Sequence, residues 1–367
     1  MINKKIAFII PFHTIGGGIK YIYELSNSLV ELGIDVTIYC PILTFSQKKW
    51  RIQYILPQIY ISLRNLINIG LPKRFLLNQK VNFLQSLILN KKKIETSGFD
   101  FIIATSWPTS YFVNSLNIKD KSKVYLIQSI ETRSGNNIEL ALNSYKLDLF
   151  KICIAQWIYN EVQLIIKPNE SYNLISNMIL NPGINFDYFY PEKNDQPKEQ
   201  YIFMLYGTKK IKGFAVGLEV FNNLKAQYPN LKLVLFGIKK GINIPNDDRI
   251  IFYKQPNIDL LRNLYNNATI FLSTSTHEGF HLPPLEAMAC KTAVVGTNVG
   301  SIQELGIHGK NCMKAEVNNI NEISNYITQL LNDENLRKGI AEEGYNLTRS
   351  MSRDGVASKF LKILFNS

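Results

Sequence analysis

The sequence predicts an α/β chain made of two parallel-sheet units. Short apolar runs alternate with segments of helical period along the chain, a polar stretch near residue 190 interrupts that rhythm, and 367 residues suit two domains of ordinary size.

Ile6–Phe12 reads as a buried strand, Gly16–Gly18 as a loop, and 19–32 as a helix whose Ile22, Leu25, Leu29 and Leu32 share a face. Gly33 ends that helix and Val36–Cys40 is the next strand. Parallel neighbours need such a crossover, so this βαβ start predicts a parallel sheet. Phe101–Ala104, Lys123–Ile127 and Ile152–Ile154 read as further strands, with a helix over 156–166. Residues 42–95 are less regular and mix many Ile, Leu, Tyr and Phe with Lys48, Lys49, Arg51, Arg64, Lys73, Arg74, Lys80 and Lys91–Lys93. Residues 190–200 carry two prolines and no apolar pattern, and read as a linker at which the domains close. Beyond it, strands are expected at Tyr201–Tyr206, Lys232–Phe236, Ile250–Tyr253, Thr269–Leu272 and Thr292–Val295. Helices are expected over 214–226, 259–266, 284–290, 320–332, 335–347 and 354–365. Two such halves facing each other leave a cleft beyond their strand ends, where open parallel sheets bind ligands.

An apolar content of 46% with 19% charged residues describes a globular chain and excludes a disordered one. The net charge of +12 implies polyanionic company: nucleic acid, anionic lipid or a phosphorylated substrate. No ribonucleoprotein strand motif, helix-turn-helix or zinc finger is present, so nucleic acid is not expected. Cys40, Cys153, Cys290 and Cys312 stand far apart, which is neither a disulfide framework nor a zinc pattern. His277 and His281 have i,i+4 spacing but straddle Gly279 in a loop, so no metal site and no cofactor is expected. The first apolar run is short and leads into Pro11, His13 and the glycines rather than a cleavage region, and no window is long enough to span a bilayer. The expectation is a cytoplasmic protein, with 42–95 as a peripheral contact to an anionic inner membrane face. Nothing specifies an oligomer.

The run Ser275–Cys290 carries the chemistry. Glu278 and Glu286 lie eight positions apart, and Pro283–Pro284 between them ends a loop and permits a helix to start. Glu286 then falls in the first turn, beside exposed amides and the positive end of the dipole. Two carboxylates and free N–H groups suit a polyhydroxylated, phosphorylated ligand such as a nucleotide sugar. Gly207–Gly213 bounds Lys209, Lys210 and Lys212 on one loop, which suits a diphosphate or a plain solvated turn. Gly16–Gly18 before a helix suits an anion or a flexible turn. Gly300 and Ser301 could offer amides to the ligand, and Gln128 and Glu131, after a strand, face the cleft and could touch an acceptor.

Glu278-Gly-Phe-His-Leu-Pro-Pro-Leu-Glu286-Ala-Met-Ala-Cys290 resembles the E-x7-E signature of the retaining group 1, or family 4, glycosyltransferases. Gly17–Gly18, Asn181–Phe189 and Lys212–Gly213 resemble further segments of that family, and 42–100 matches it least. The resemblance implies a GT-B fold, two Rossmann-like domains facing each other across a cleft. It assigns 1–189 to the acceptor, 190–200 to the linker, 201–350 to the nucleotide sugar, and 351–367 to a C-terminal helix crossing back. Retaining transfer of a hexosyl or deoxyhexosyl group to a glycan or lipid-linked glycan, without metal, is the implied activity, in cell-surface polysaccharide biosynthesis. Glu278 would hold sugar hydroxyls beside the anomeric carbon, Glu286 the ribose hydroxyls, and Lys212 the diphosphate. Thr208 stands where typical members have arginine, with Lys209 as its substitute. Gln128 replaces a histidine common in the family, and His281 stands where glycine is usual. Gly279, Phe280, His281, Leu282 and Gly300 complete the expected substrate contacts. A nicotinamide enzyme should show GxGxxG, which is absent. The remaining rival is a degenerate, non-catalytic nucleotide-sugar- or polyanion-binding protein, because Thr208 and Gln128 depart from the pattern.

Overall fold

The computed structural model describes residues 4–12, 16–42, 77–131, 138–166, 175–192 and 200–365. The basic residues Lys48, Lys49, Arg51, Arg64, Lys73 and Arg74, together with His13, lie outside them. The described residues fall into two compact units, Met1–Pro182 with Arg353–Ser367, and Gly183–Ser352.

The first unit contains β1 (Lys5–Ile9), β2 (Asp35–Pro41), β3 (Asn82–Ser86), β4 (Phe101–Ala104), β5 (Lys123–Ile127) and β6 (Phe150–Cys153). They form a parallel sheet in the order β3-β2-β1-β4-β5-β6. Strand residues from Ile6 to Ile9, from Val36 to Cys40 and from Val124 to Ile127 are buried, as a sheet covered on both faces requires. The helix Gly17–Glu31 follows β1 and buries Ile22, Leu25 and Leu29. The final helix, Arg353–Phe365, also belongs to this unit. Phe360 stacks on Phe8 at 6.2 Å, Ser28 donates to Asp354 at 3.0 Å, and Arg353 reaches Glu31 at 3.3 Å. All four cysteines are buried thiols.

The second unit repeats the plan with β7 (Tyr201–Leu205), β8 (Lys232–Gly237), β9 (Ile250–Lys254), β10 (Ile270–Ser273), β11 (Ala293–Thr297) and β12 (Met313–Ala315). The order is β12-β11-β10-β7-β8-β9, again parallel. Each sheet therefore reverses direction of winding next to its own first strand, between β1 and β4 and between β7 and β10. Ligands of doubly wound sheets bind at this switch point, beyond the carboxyl ends of the strands. Phe203, Phe236, Tyr265 and Phe271 form an aromatic core beside the switch, with Phe203–Phe236 centroids 4.7 Å and Phe203–Tyr265 centroids 5.1 Å apart.

Two features differ from the sequence expectation. The chain leaves the first unit at Pro182, ahead of the proposed 190–200 linker, of which 193–199 lie outside the described residues. Tyr190 and Glu192 are already tied into the second unit. Asn266 donates to Tyr190 O at 3.0 Å and accepts from the Glu192 N–H at 2.8 Å, while Arg262 pairs with Glu192 at 2.6 Å. In addition, β3, β12 and the helices Lys91–Glu95, Trp107–Asn114, Ile138–Ser144 and Ser301–Leu305 supplement the expected elements.

Candidate active site

In the second unit the switch point is framed by the loops after β7 and β10. The loop after β7 ends in a turn at Lys210–Lys212, then Gly213 at φ +67° starts the helix Phe214–Leu224. That φ favours glycine, and any Cβ there would collide with the Thr274 carbonyl. Thr274 Oγ1 donates to Gly213 O at 2.8 Å, and the Thr276 N–H donates to Ile211 O at 2.8 Å. The lysine loop is thus sewn to the loop that carries Glu278.

Lys212 and Glu278 meet directly. Lys212 Nζ lies 2.7 Å from Glu278 Oε1 and 3.0 Å from Oε2. Ser275 Oγ donates to Oε1 at 2.7 Å, and His281 Nδ1 stands 3.3 Å from the same oxygen. The other ring nitrogen of His281 is 2.9 Å from Ser273 Oγ. Burial alone would raise the Glu278 pKa, but His281, the Lys212 ammonium and the bonds from Lys212 and Ser275 hold it below its ordinary value. Burial pushes His281 down to about 4, against the pull of Glu278. The imidazole is therefore neutral at pH 7, and the charged group paired with Glu278 there is the Lys212 ammonium.

Glu286 sits in the first turn of the helix Pro283–Ala289, with prolines opening that helix. Its carboxylate is buried and accepts from Tyr265 Oη at 3.0 Å, so the aromatic core sets its position. Gly300, at φ +58°, closes the back of the loop: a Cβ there would lie 2.6 Å from Phe280 O and 3.0 Å from both Glu278 Cβ and His281 Cβ. Ser301 Oγ donates to His281 O at 2.8 Å. Phe280 is buried, and Leu282 O accepts from the Glu286 N–H at 3.0 Å. Gly279 lies on the same loop. Lys209 is exposed on the lysine turn and makes no ion pair among the described residues.

The remaining predicted residues belong to the first unit. Gly17 and Gly18 open the helix after β1, and a Cβ on Gly18 would lie 3.1 Å from Gln128 Oε1. Gln128 follows β5, donates to Thr105 O at 3.2 Å, and buries Oε1 with no hydrogen-bond partner among the described residues. Glu131 Oε1 accepts from the Trp107 N–H at 3.0 Å, and the Glu131 N–H donates to Tyr145 Oη at 2.9 Å. Burial raises Glu131 to about 7 despite the bonds from Trp107 and Tyr125.

Sequence reasoning missed Ser273 and Tyr265 as supports. Ser275, three residues ahead of Glu278, had a readable cue in its spacing. Tyr265 lies 21 positions from Glu286 and carries no local sign of the pairing.

Residues 188–347 match the family model of the group 1 glycosyl transferases. An uncharacterized glycosyltransferase of Methanocaldococcus jannaschii is 27% identical over 281 residues, 72% of this chain and 74% of the relative. The capsular polysaccharide biosynthesis glycosyltransferase CapM of Staphylococcus aureus is 26% identical over 165 residues, covering 43% of each chain. In fold, the chain is similar to HepE of Anabaena, solved with UDP and glucose, at TM-score 0.72 and 13% identity over 99% of this chain and 100% of that one. The second unit is thus similar to the group 1 glycosyl transferases, and the chain has a GT-B fold of two Rossmann-like units.

Proposed function

We propose that the protein is a retaining, metal-independent transferase that moves a hexosyl or deoxyhexosyl group from a nucleoside diphosphate sugar to a hydroxyl of a glycan or lipid-linked glycan in cell-surface polysaccharide assembly. The observation that carries this reading is the Lys212–Glu278 pair at the β7/β10 switch point. It sets a cation for a diphosphate against a carboxylate able to accept from sugar hydroxyls. CapM, named for capsular polysaccharide biosynthesis, supports the pathway class, and the UDP and glucose held by HepE support the donor class.

In this reading the diphosphate takes Lys212 Nζ, with Lys209 beside it, while Glu286 accepts from the ribose hydroxyls. Glu278 binds sugar hydroxyls and stabilises positive charge at the anomeric carbon electrostatically. The bond from that carbon to the diphosphate oxygen breaks as the acceptor oxygen bonds to the same face. The acceptor proton passes to the departing phosphate oxygen, so the products are the glycoside and the nucleoside diphosphate. The first unit, with Gly17, Gly18, Gln128 and Glu131, takes the acceptor. Peripheral contact with an anionic membrane is supported by exposed Leu87 and Ile88 beside Lys91–Lys93.

A saturation-transfer NMR screen of UDP, GDP and dTDP with their sugars tests the donor site, repeated with Glu286→Ala. One nucleotide class should bind the parent, and binding should weaken at least about tenfold in the variant, the loss of charged hydrogen bonds. Binding that survives Glu286→Ala removes the ribose assignment. Binding without release of nucleoside diphosphate favours the non-catalytic alternative.

A further inference from the structure

His281 occupies a backbone position that its residue type disfavours. Its φ of +71° lies in the left-handed region, where glycine and asparagine sit with least strain. The surroundings hold it there: Ser301 Oγ donates to its carbonyl at 2.8 Å, and Gly300 packs behind its Cβ. The side chain is only 4% exposed. Both ring nitrogens are turned toward protein atoms, Nε2 to Ser273 Oγ at 2.9 Å and Nδ1 to Glu278 Oε1 at 3.3 Å. The ring is thus aimed at Glu278, which is a different task from the ligand contact expected of it from sequence.

The two oxygens of Glu278 are unequal. Oε1 faces Lys212 Nζ, Ser275 Oγ and His281 Nδ1, whereas among the described residues Oε2 faces Lys212 Nζ alone, at 3.0 Å. An ionised carboxylate oxygen offers two lone-pair sites, so Oε1 is filled and Oε2 retains capacity. The tautomer follows from the same contacts. With the Ser273 hydroxyl donating to Nε2, the ring proton sits on Nδ1 and faces the carboxylate; the other tautomer would set a lone pair against Oε1.

We propose that His281 is a positioning residue for sugar transfer: braced by Ser273, its ring stands with Nδ1 against Oε1 of Glu278 and leaves Oε2 directed at the donor sugar. This rests on the reading that Glu278 serves the donor sugar. The strained backbone is then part of the device, because glycine at this position would relieve φ but could not brace the carboxylate.

The test compares His281→Gly, which removes ring and strain together, with His281→Asn, which tolerates the same backbone and returns an N–H near the place of Nδ1. Turnover is read as nucleoside diphosphate released from UDP-glucose, GDP-mannose or dTDP-rhamnose, whichever the parent uses. H281G should keep its melting temperature and its affinity for the free nucleoside diphosphate, while kcat falls at least about tenfold. H281N should recover most of that loss. A ring that only fills space would instead give a lower melting temperature, unchanged kcat and no difference between the two variants, and that result overturns the proposal. A second readout does not need turnover: the carboxyl-carbon titration of Glu278, assigned with Glu278→Gln. Its midpoint should rise in H281G and return in H281N; an unmoved midpoint in H281G overturns the proposal. A parent that releases no nucleoside diphosphate from any donor defeats the transferase reading, and the titration still decides the role of His281. If H281G does not fold, Ser273→Ala, which keeps the ring and removes its brace, is carried through the same comparison.

Discussion

Glu131 shows how burial alone can give one side chain a pH dependence. Its carboxyl group has an ordinary value of 4.5 and is raised to about 7 in the fold, chiefly by desolvation. The folded state therefore holds a proton that the unfolded chain has lost between those values. The stability this group supports is full below pH 4.5, declines as pH rises to about 7, and then levels off. A gap of that size corresponds to roughly 3 kcal/mol. Glu131→Gln keeps an acceptor for the Trp107 N–H without the charge. Denaturant midpoints should therefore show the variant more stable than the parent at pH 8, by up to about 3 kcal/mol, and the two equal near pH 4.5. A difference that does not depend on pH would mean that folding leaves the Glu131 pKa unshifted.

At the scale of elements, the site depends on two loops behaving as one body. Gly213 is the junction, since the lysine turn, the helix Phe214–Leu224 and the Thr274 carbonyl converge on its Cα. Gly213→Ala must both strain φ and displace the loop after β10. It should cost about 2–4 kcal/mol in thermal or urea unfolding and abolish nucleotide binding. A variant of parental stability would show that the two loops are not coupled through this contact. Much of this region was legible in the sequence because its signals are local. Pro283–Pro284 marks a helix start, the glycines bound the lysine turn, and Glu278 and Glu286 flank the loop. The strands β7, β8, β10 and β11 were legible as compact apolar runs for the same reason. β3 was not, because it exposes Asn82, Leu84 and Ser86 in alternation and lies in a lysine-rich region; β12 has three residues, too few to show a period. The domain crossing was misread because polarity near 190 reports solvent at that segment, whereas the Tyr190–Asn266 and Glu192–Arg262 bonds that fix its allegiance span some seventy positions. The left-handed backbone of His281 is likewise set by Gly300 and Ser301, not by its neighbours in sequence.

At the scale of the whole molecule, the net charge of +12 acts together with one exposed patch. Leu87 is 62% and Ile88 72% exposed, and Lys91, Lys92 and Lys93 follow on a short helix capped by Asn90. No described helix is long and apolar enough to cross a membrane, so any lipid contact through this patch lies at the surface. The protein should co-sediment with vesicles containing phosphatidylglycerol and not with pure phosphatidylcholine. Replacing Lys91, Lys92 and Lys93 by Gln should weaken binding about 100-fold, near 1 kcal/mol per lysine, and added salt should act in the same direction. Equal binding by the triple variant would move the contact away from this patch. The buried cysteines have a practical consequence of another kind. Burial holds Cys40 and Cys153 up at about 12 and Cys312 at about 11, and raises Cys290 too, so none offers a surface thiolate to maleimide dyes. A cysteine introduced at exposed Lys119 in the first unit and another at exposed Lys338 in the second would take a fluorophore pair with every native thiol left in place. Energy transfer between those dyes would then follow, molecule by molecule, how the separation of the two units responds when a nucleotide sugar is added.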